Sequence, residues 1–273
     1  KIFPDFKIMD DNHERLYLLD IARAFAAFTV VLQHYQHFYI YNSGKNSEIF
    51  VRSSQPFFEF IGFAYNFGSQ AVPFFFMLSG FIFFSFYFKK VSLKKISFRN
   101  FFILRLSRLY PLHFLTLIIT VFFQLIYMKY QNNYFIFEDN NIRSFFEHLF
   151  LIQEWPLMSS RSINAFNAPS FSISVEIFLY ITFFFVSLNH AKNLKQILII
   201  IILTLIFYSF VKSSLSLGLL LFFVGGFLYY LLEKIKKSLI LNKYLVIMIL
   251  AIINFIIFGR FLNNYFLVLQ FEL

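Results

Sequence analysis

Seven stretches of this chain are apolar over roughly the thickness of a bilayer, and that feature leaves few folds open to it. A spanning helix needs about 20 such residues, because lipid offers no partner to an unpaired backbone amide. The stretches are Leu18–Ile40, Ser69–Phe88, Tyr110–Tyr127, Phe171–Leu188, Leu194–Phe210, Leu217–Leu232 and Tyr244–Phe261. Hydrophobic residues make up 59% of the chain and charged ones only 14%, which is more apolar surface than one soluble core of 273 residues hides. The expectation is an all-α, polytopic integral membrane helical bundle, with residues 1–273 forming a single transmembrane domain. A smaller apolar piece, FFEHLFLI from Phe145 to Ile152, reads as re-entrant or interfacial, and the final NNYFLVLQFEL is too short to span.

The net charge of +10 raises the question of a nucleic-acid partner. The basic residues sit between the apolar runs, where they set topology instead, so no nucleic acid is expected. With a cytoplasmic N-terminus, sixteen of the 24 Lys and Arg face the inside and seven the outside. Residues 1–17 are therefore expected in the cytoplasm, and Tyr41–Gly68 and the long connection 128–170 outside. The N-terminus mixes both charge signs and runs into a segment broken by Asp20 and Arg23. That is a poor signal-peptide core, so the first span is expected to be retained. Cysteine is absent, which removes disulfides, thiolate metal sites and a Cys nucleophile.

The first span is the one that resists a purely structural reading. LYLLDIARAFAAFTVVLQHYQHF carries Asp20, Arg23, His34 and His37. Intramembrane ionisable groups are costly and usually face a partner, a cavity or a reaction. The eleven residues from Arg23 to His34 come to about 20° past three turns and about 16 Å of rise, so the two share one face. Asp20 lies within about 60° of that stripe, and His37 is a neighbour of His34 at i+3. The plainer reading is an Asp20–Arg23 pair snorkelling at the interface, with the histidines satisfied by other helices.

Three further stretches bear on that choice. AVPFFFMLSGF places Ser79 and Gly80 in an apolar helix, where small residues let helices approach closely. RNFFILRLSRLYPLHFL carries Arg105 and Arg108 at i+3, at the expected cytoplasmic mouth of the third span, and two guanidiniums on one face suit phosphate oxygens. NAPSFSISVEIFLY opens the fourth span with Ser170, Ser172, Ser174 and Glu176. Topology explains the arginines and capping explains the serines, but neither explains Glu176.

Taken together and in order, these motifs resemble the acyltransferase-3 family of membrane acyltransferases. The match rests on LDIARAFAAFTVVLQHY with its Arg23-to-His34 spacing, FFFMLSGFIFF, RLSRLYP, SFSISVEIFLY and LLLFFVGGFLYYL, spread over Leu18 to Leu232. Two features depart from the family. It usually has about ten spans of bilayer-crossing length, which suggests a trimmed or naturally short chain here, and its second glutamate after S-V-E is Ile177.

The resemblance implies transfer of an acyl group, acetyl by expectation, from cytoplasmic acyl-CoA to a hydroxyl of a surface glycan or lipid-linked saccharide. It implies an inner (cytoplasmic) membrane location and no metal. His34 is then the candidate general base, and Glu176 the carboxylate that orients or charge-stabilises it. Arg23, Arg105 and Arg108 are candidates for binding acyl-CoA, with Asp20, Ser172 and Ser174 as substrate-binding or structural support. Trp155 and Tyr134 in the outer connection are candidates for stacking on sugar rings, although aromatics near an interface are expected anyway.

A different class remains open from the residues alone. His34, His37, His113 and His148 are chemically able to ligate haem or a metal, and intramembrane polarity also marks transporters. The expected depths of His34 and His113 disagree for haem, and the chain lacks the paired broken helices in two related halves typical of secondary transporters.

Overall fold

The computed structural model describes residues 17–35, 55–135, 139–156, 165–189 and 193–236, and its elements are helical throughout. In chain order they are α1 (Tyr17–Tyr35), α2 (Phe58–Phe67), α3 (Ala71–Phe86), α4 (Phe88–Ser92), α5 (Phe98–Gln131), α6 (Ile142–Leu149), α7 (Phe171–Asn189), α8 (Leu194–Phe210) and α9 (Ser214–Lys236). Single 3-10 turns, Gly68–Gln70 and Ala168–Ser170, lead into α3 and α7. Among the described residues, four helical stretches are long and apolar enough to cross a membrane: Gly68–Phe86, Phe98–Gln131, Ala168–Asn189 and Ser214–Lys234. With the shorter apolar α8 beside them, they make this a multi-pass membrane protein.

Local chemistry starts these helices where polar residues interrupt the apolar runs. Ser97 caps α5 by accepting from the Asn100 amide at 3.3 Å, Asn141 caps α6 through Ser144 at 2.9 Å, and Asn193 caps α8 through Gln196 at 3.0 Å. At the start of α9, Ser213 and Ser216 exchange hydrogen bonds, with the Ser216 amide donating to Ser213 Oγ at 3.2 Å and the Ser213 amide to Ser216 Oγ at 3.1 Å. That is the reciprocal arrangement that satisfies two free amide groups at once.

The centre of the bundle is the packing of α3 against α9, with α7 alongside and α8 outside α9. In lipid the tails are as apolar as leucine, so packing decides which faces meet. Here glycine and phenylalanine do this in combination. A Cβ on Gly80 would stand 1.8 Å from the Phe222 carbonyl oxygen, and one on Gly225 would stand 2.0 Å from that of Met77. The two backbones therefore touch from both sides. Around the contact lie Phe83, Phe84, Phe101, Phe183, Phe222 and Phe223, all buried. Their rings meet edge to face, as in Phe83–Phe183 at 5.2 Å and 90° and Phe84–Phe183 at 5.3 Å and 80°, the geometry that ring quadrupoles favour.

Two elements differ from the sequence expectation. The third span was expected over Tyr110–Tyr127, after a basic loop, yet α5 runs unbroken from Phe98 to Gln131, straight through Pro111. At 34 residues it is about 51 Å long, well beyond a hydrocarbon core of about 30 Å. The basic stretch is thus the first part of a helix. Second, the connection Tyr41–Gly68 contains α2, which packs on α1. The FFEHLFLI piece falls in α6 and the turn after it; α6 lies against α5 and buries Ser144, Glu147 and His148. His37, the end of the first expected span and all of Tyr244–Phe261 lie outside the described residues.

Candidate active site

Three helices bring together four of the residues singled out in the sequence. Glu176 projects from α7, and the charges acting on its carboxylate are Arg108 and Arg105 from α5 and Arg23 from α1. Glu176 is partly buried. Its hydrogen bond comes from the Tyr180 hydroxyl, one turn further along α7.

Arg105 is held by aromatic rings. Its guanidinium carbon lies 4.1 Å from the centre of the Tyr87 ring, 5.1 Å from Phe83 and 6.0 Å from Phe101. Desolvated contacts of this kind are worth up to about 2 kcal/mol. Its Nε is buried and has no hydrogen-bond partner. Arg108, one turn on, is exposed. Arg23 pairs with Asp20 at 3.3 Å, and both side chains keep much of their surface open, at 37% and 62%. An exposed pair at that distance contributes at most about 1 kcal/mol, so the pairing leaves Arg23 available to other anions.

His34 sits in the last turn of α1 and is partly buried. Among the contacts described for Glu176, the hydrogen bond is to Tyr180 and the charges are arginines. On the α5 side an apolar cleft of about 300 Å³ is lined by Phe102, Leu106, Tyr110, Trp155 and Ile177 among others. Phe102, Leu106 and Tyr110 are spaced by four residues and so form one stripe of α5.

The serines of the fourth span fasten a loop. Ser172 donates to the Pro169 carbonyl at 3.2 Å. Ser170 accepts from Gln153 Nε2 at 3.1 Å, and Ser174 accepts from the Glu154 amide at 3.2 Å. Being four residues apart, Ser170 and Ser174 lie on one face and fix the segment 151–156 along it. Trp155 belongs to the same attachment. Its Nε1 donates to the Ser174 carbonyl at 3.3 Å and its ring meets Phe178 edge-on at 5.3 Å, so it packs onto α7 instead of standing free as a sugar platform. Tyr134 is partly buried. His113 Nε2 lies 2.8 Å from the His148 carbonyl oxygen, and His148 Nδ1 3.3 Å from Ser170 Oγ. Among the described residues no group of three or more His, Asp or Glu is placed to hold a metal ion.

That loop carries a carboxylate the sequence did not single out. Glu154 is 7% exposed and its Oε1 has no partner. Burial raises it from the ordinary 4.5 to about 7, and the hydroxyl of Ser214 lowers it only in part. Because the folded form holds the proton more tightly than the unfolded chain, the side chain favours the fold at low pH. That support falls away as pH climbs from about 4.5 through about 7. The ionised form is disfavoured by on the order of 3 kcal/mol. Glu154→Gln should therefore flatten the fall in thermal stability between pH 5 and 8 of the detergent-solubilised protein; parallel melting curves for both proteins would refute this.

Tyr180 was legible in principle, since it stands at i+4 from Glu176, the spacing of contacting pairs on a helix. Glu154 had no local signal, because its partners Ser174 and Ser214 are distant in sequence.

A family model described as an acyltransferase domain matches residues 16–271, nearly the whole chain. The protein is a membrane acyltransferase. It belongs to the acyltransferase-3 family. No curated protein and no solved structure matches it significantly.

Proposed function

We propose that this protein moves an acetyl group from cytoplasmic acetyl-CoA to a hydroxyl of a cell-surface glycan or lipid-linked sugar, from an N-terminus-inside position in the cytoplasmic membrane. The observation that carries this reading is the convergence of Arg23, Arg105 and Arg108, from two helices, around Glu176 on a third. Three cations against the carboxylates of Glu176 and Asp20 leave net positive charge here, with Arg108 and the Arg23–Asp20 pair partly open. Such a place favours an anion, and guanidinium forks suit phosphate oxygens in particular. The apolar cleft on the α5 side offers a dry wall for the pantetheine and acyl chain.

The acceptor oxygen attacks the thioester carbonyl while His34 takes the hydroxyl proton. A tetrahedral oxyanion forms, favoured by nearby cationic donors. The carbon–sulfur bond then breaks, and the imidazolium of His34 returns its proton to the departing CoA thiolate. Glu176 supplies negative charge that favours the imidazolium over the neutral ring. Ser174, with Ser170, shapes the mouth by holding the 151–156 loop, and Ser172 fastens the turn that opens α7 through the Pro169 carbonyl.

Mass spectrometry of surface glycans from cells with and without the gene tests the whole reading, since an added acetyl mass that depends on the gene identifies donor and acceptor together. Unchanged glycan masses would remove it. The donor part has its own test. Reversing charge at Arg105 and Arg108 to Glu should weaken acetyl-CoA binding to purified protein by at least about tenfold, given the strength of charge-assisted hydrogen bonds. Equal binding would return both arginines to a topological role.

A further inference from the structure

Arg105 and Glu176 act on one another electrostatically, yet among the described residues no ion pair joins them. In a bundle surrounded by lipid this needs a cause, because a guanidinium and a carboxylate at short range pair readily and often bidentately. The cause is visible on both sides. The Glu176 carboxylate takes the hydrogen bond of Tyr180, and Arg105 lies over the Tyr87 ring at 4.1 Å with its Nε unpartnered. Phe83 ties the two together. Its ring stacks on Tyr180 at 4.7 Å and 14° and also receives the Arg105 guanidinium at 5.1 Å.

We propose that Tyr180 is a positioning residue that tethers the Glu176 carboxylate away from Arg105, so that the guanidinium stays open for the phosphates of the donor. Tyr180 acts through Glu176 and does not touch the donor itself. Without its hydroxyl the carboxylate is released to swing onto Arg105 and occupy the fork that an incoming phosphate needs. The role rests on the reading of Arg105 as a donor anchor.

The probe is free coenzyme A, which is not turned over, titrated calorimetrically into the purified full chain in detergent. Tyr180→Phe keeps the ring and its stacking on Phe83, so its melting temperature should stay close to that of the wild type. Its affinity for coenzyme A should fall about tenfold, as expected for a competing charge-assisted pair. The double variant Glu176→Gln with Tyr180→Phe should bind as tightly as Glu176→Gln alone, because an amide has no charge with which to capture Arg105. A loss that persists unchanged in the double variant means a packing role and overturns the tether. Wild-type affinity in Tyr180→Phe overturns it as well, while leaving the donor site standing. Absence of coenzyme A binding by the wild type overturns both the tether and the donor reading. A second measurement does not depend on Tyr180→Phe folding. With isotope-labelled tyrosine, one infrared C–O band should shift on Glu176→Gln, and an unmoved spectrum counts against the hydrogen bond.

Discussion

Replacing His34 by alanine is expected to lower acyl transfer by about 10²–10⁴-fold, the range over which a positioned general base contributes. Protein level in the membrane should not change, because the side chain is only partly buried in the last turn of α1. The measurement is transfer of labelled acetyl from acetyl-CoA in isolated membranes, normalised to immunoblotted protein. Coenzyme A binding should survive, since the arginines that gather around Glu176 lie elsewhere on α1 and α5. An active His34→Ala would falsify the base role, and a variant that has lost donor binding as well would point to collapse of the bundle.

The second large effect concerns assembly. Gly225→Val should destabilise the protein by about 3 kcal/mol or more, at or above the upper end of overpacking costs. A Cβ there would lie 2.0 Å from the Met77 carbonyl oxygen and 2.7 Å from the Phe81 nitrogen, both backbone atoms that cannot rotate aside. Gly218→Ala is the control. Its Cβ would lie 2.6 Å from Val175 Cγ1, a side-chain atom instead of main chain, and the expected cost is about 1–3 kcal/mol. Melting temperature in detergent and recovery from the membrane fraction report both. Equal behaviour of the two variants would show that the backbone contact does not govern assembly.

These predictions separate what the residues disclosed from what they could not. Spans set off by polar breaks at both ends were legible almost to the residue: Leu194–Phe210 is α8 as expected, and Phe171–Leu188 is α7 less its final residue. The long α5 was not, because a hydropathy reading stops at arginine, and Arg105 is tolerated in a helix by Tyr87, Phe83 and Phe101, whose rings belong in part to other elements. α2 was missed for a different reason. FEFIGFAYNF is too short to span, and its apolar face is needed only because α1 lies beside it. At the site, Glu176 stood out because a carboxylate has no other reason to open a span. Its meeting with Arg23, Arg105 and Arg108 depends on how three helices cross, which spacing along one helix does not specify.

The contact of Gly80 with Phe222 and of Gly225 with Met77 also bears on how the bundle can move. Packed helices slide past one another by exchanging side-chain rotamers, and here main chain rests on main chain, so no alternative set of rotamers exists. The α3–α9 pair is therefore a chassis. α5 is different: most of its apolar length faces outward, and the cleft that borders Phe102, Leu106 and Tyr110 runs along it. The glycine contacts of the chassis lie apart from that cleft, while Phe101 in the first turn of α5 packs on Phe83 and Phe183 and ties that end of the helix to the frame.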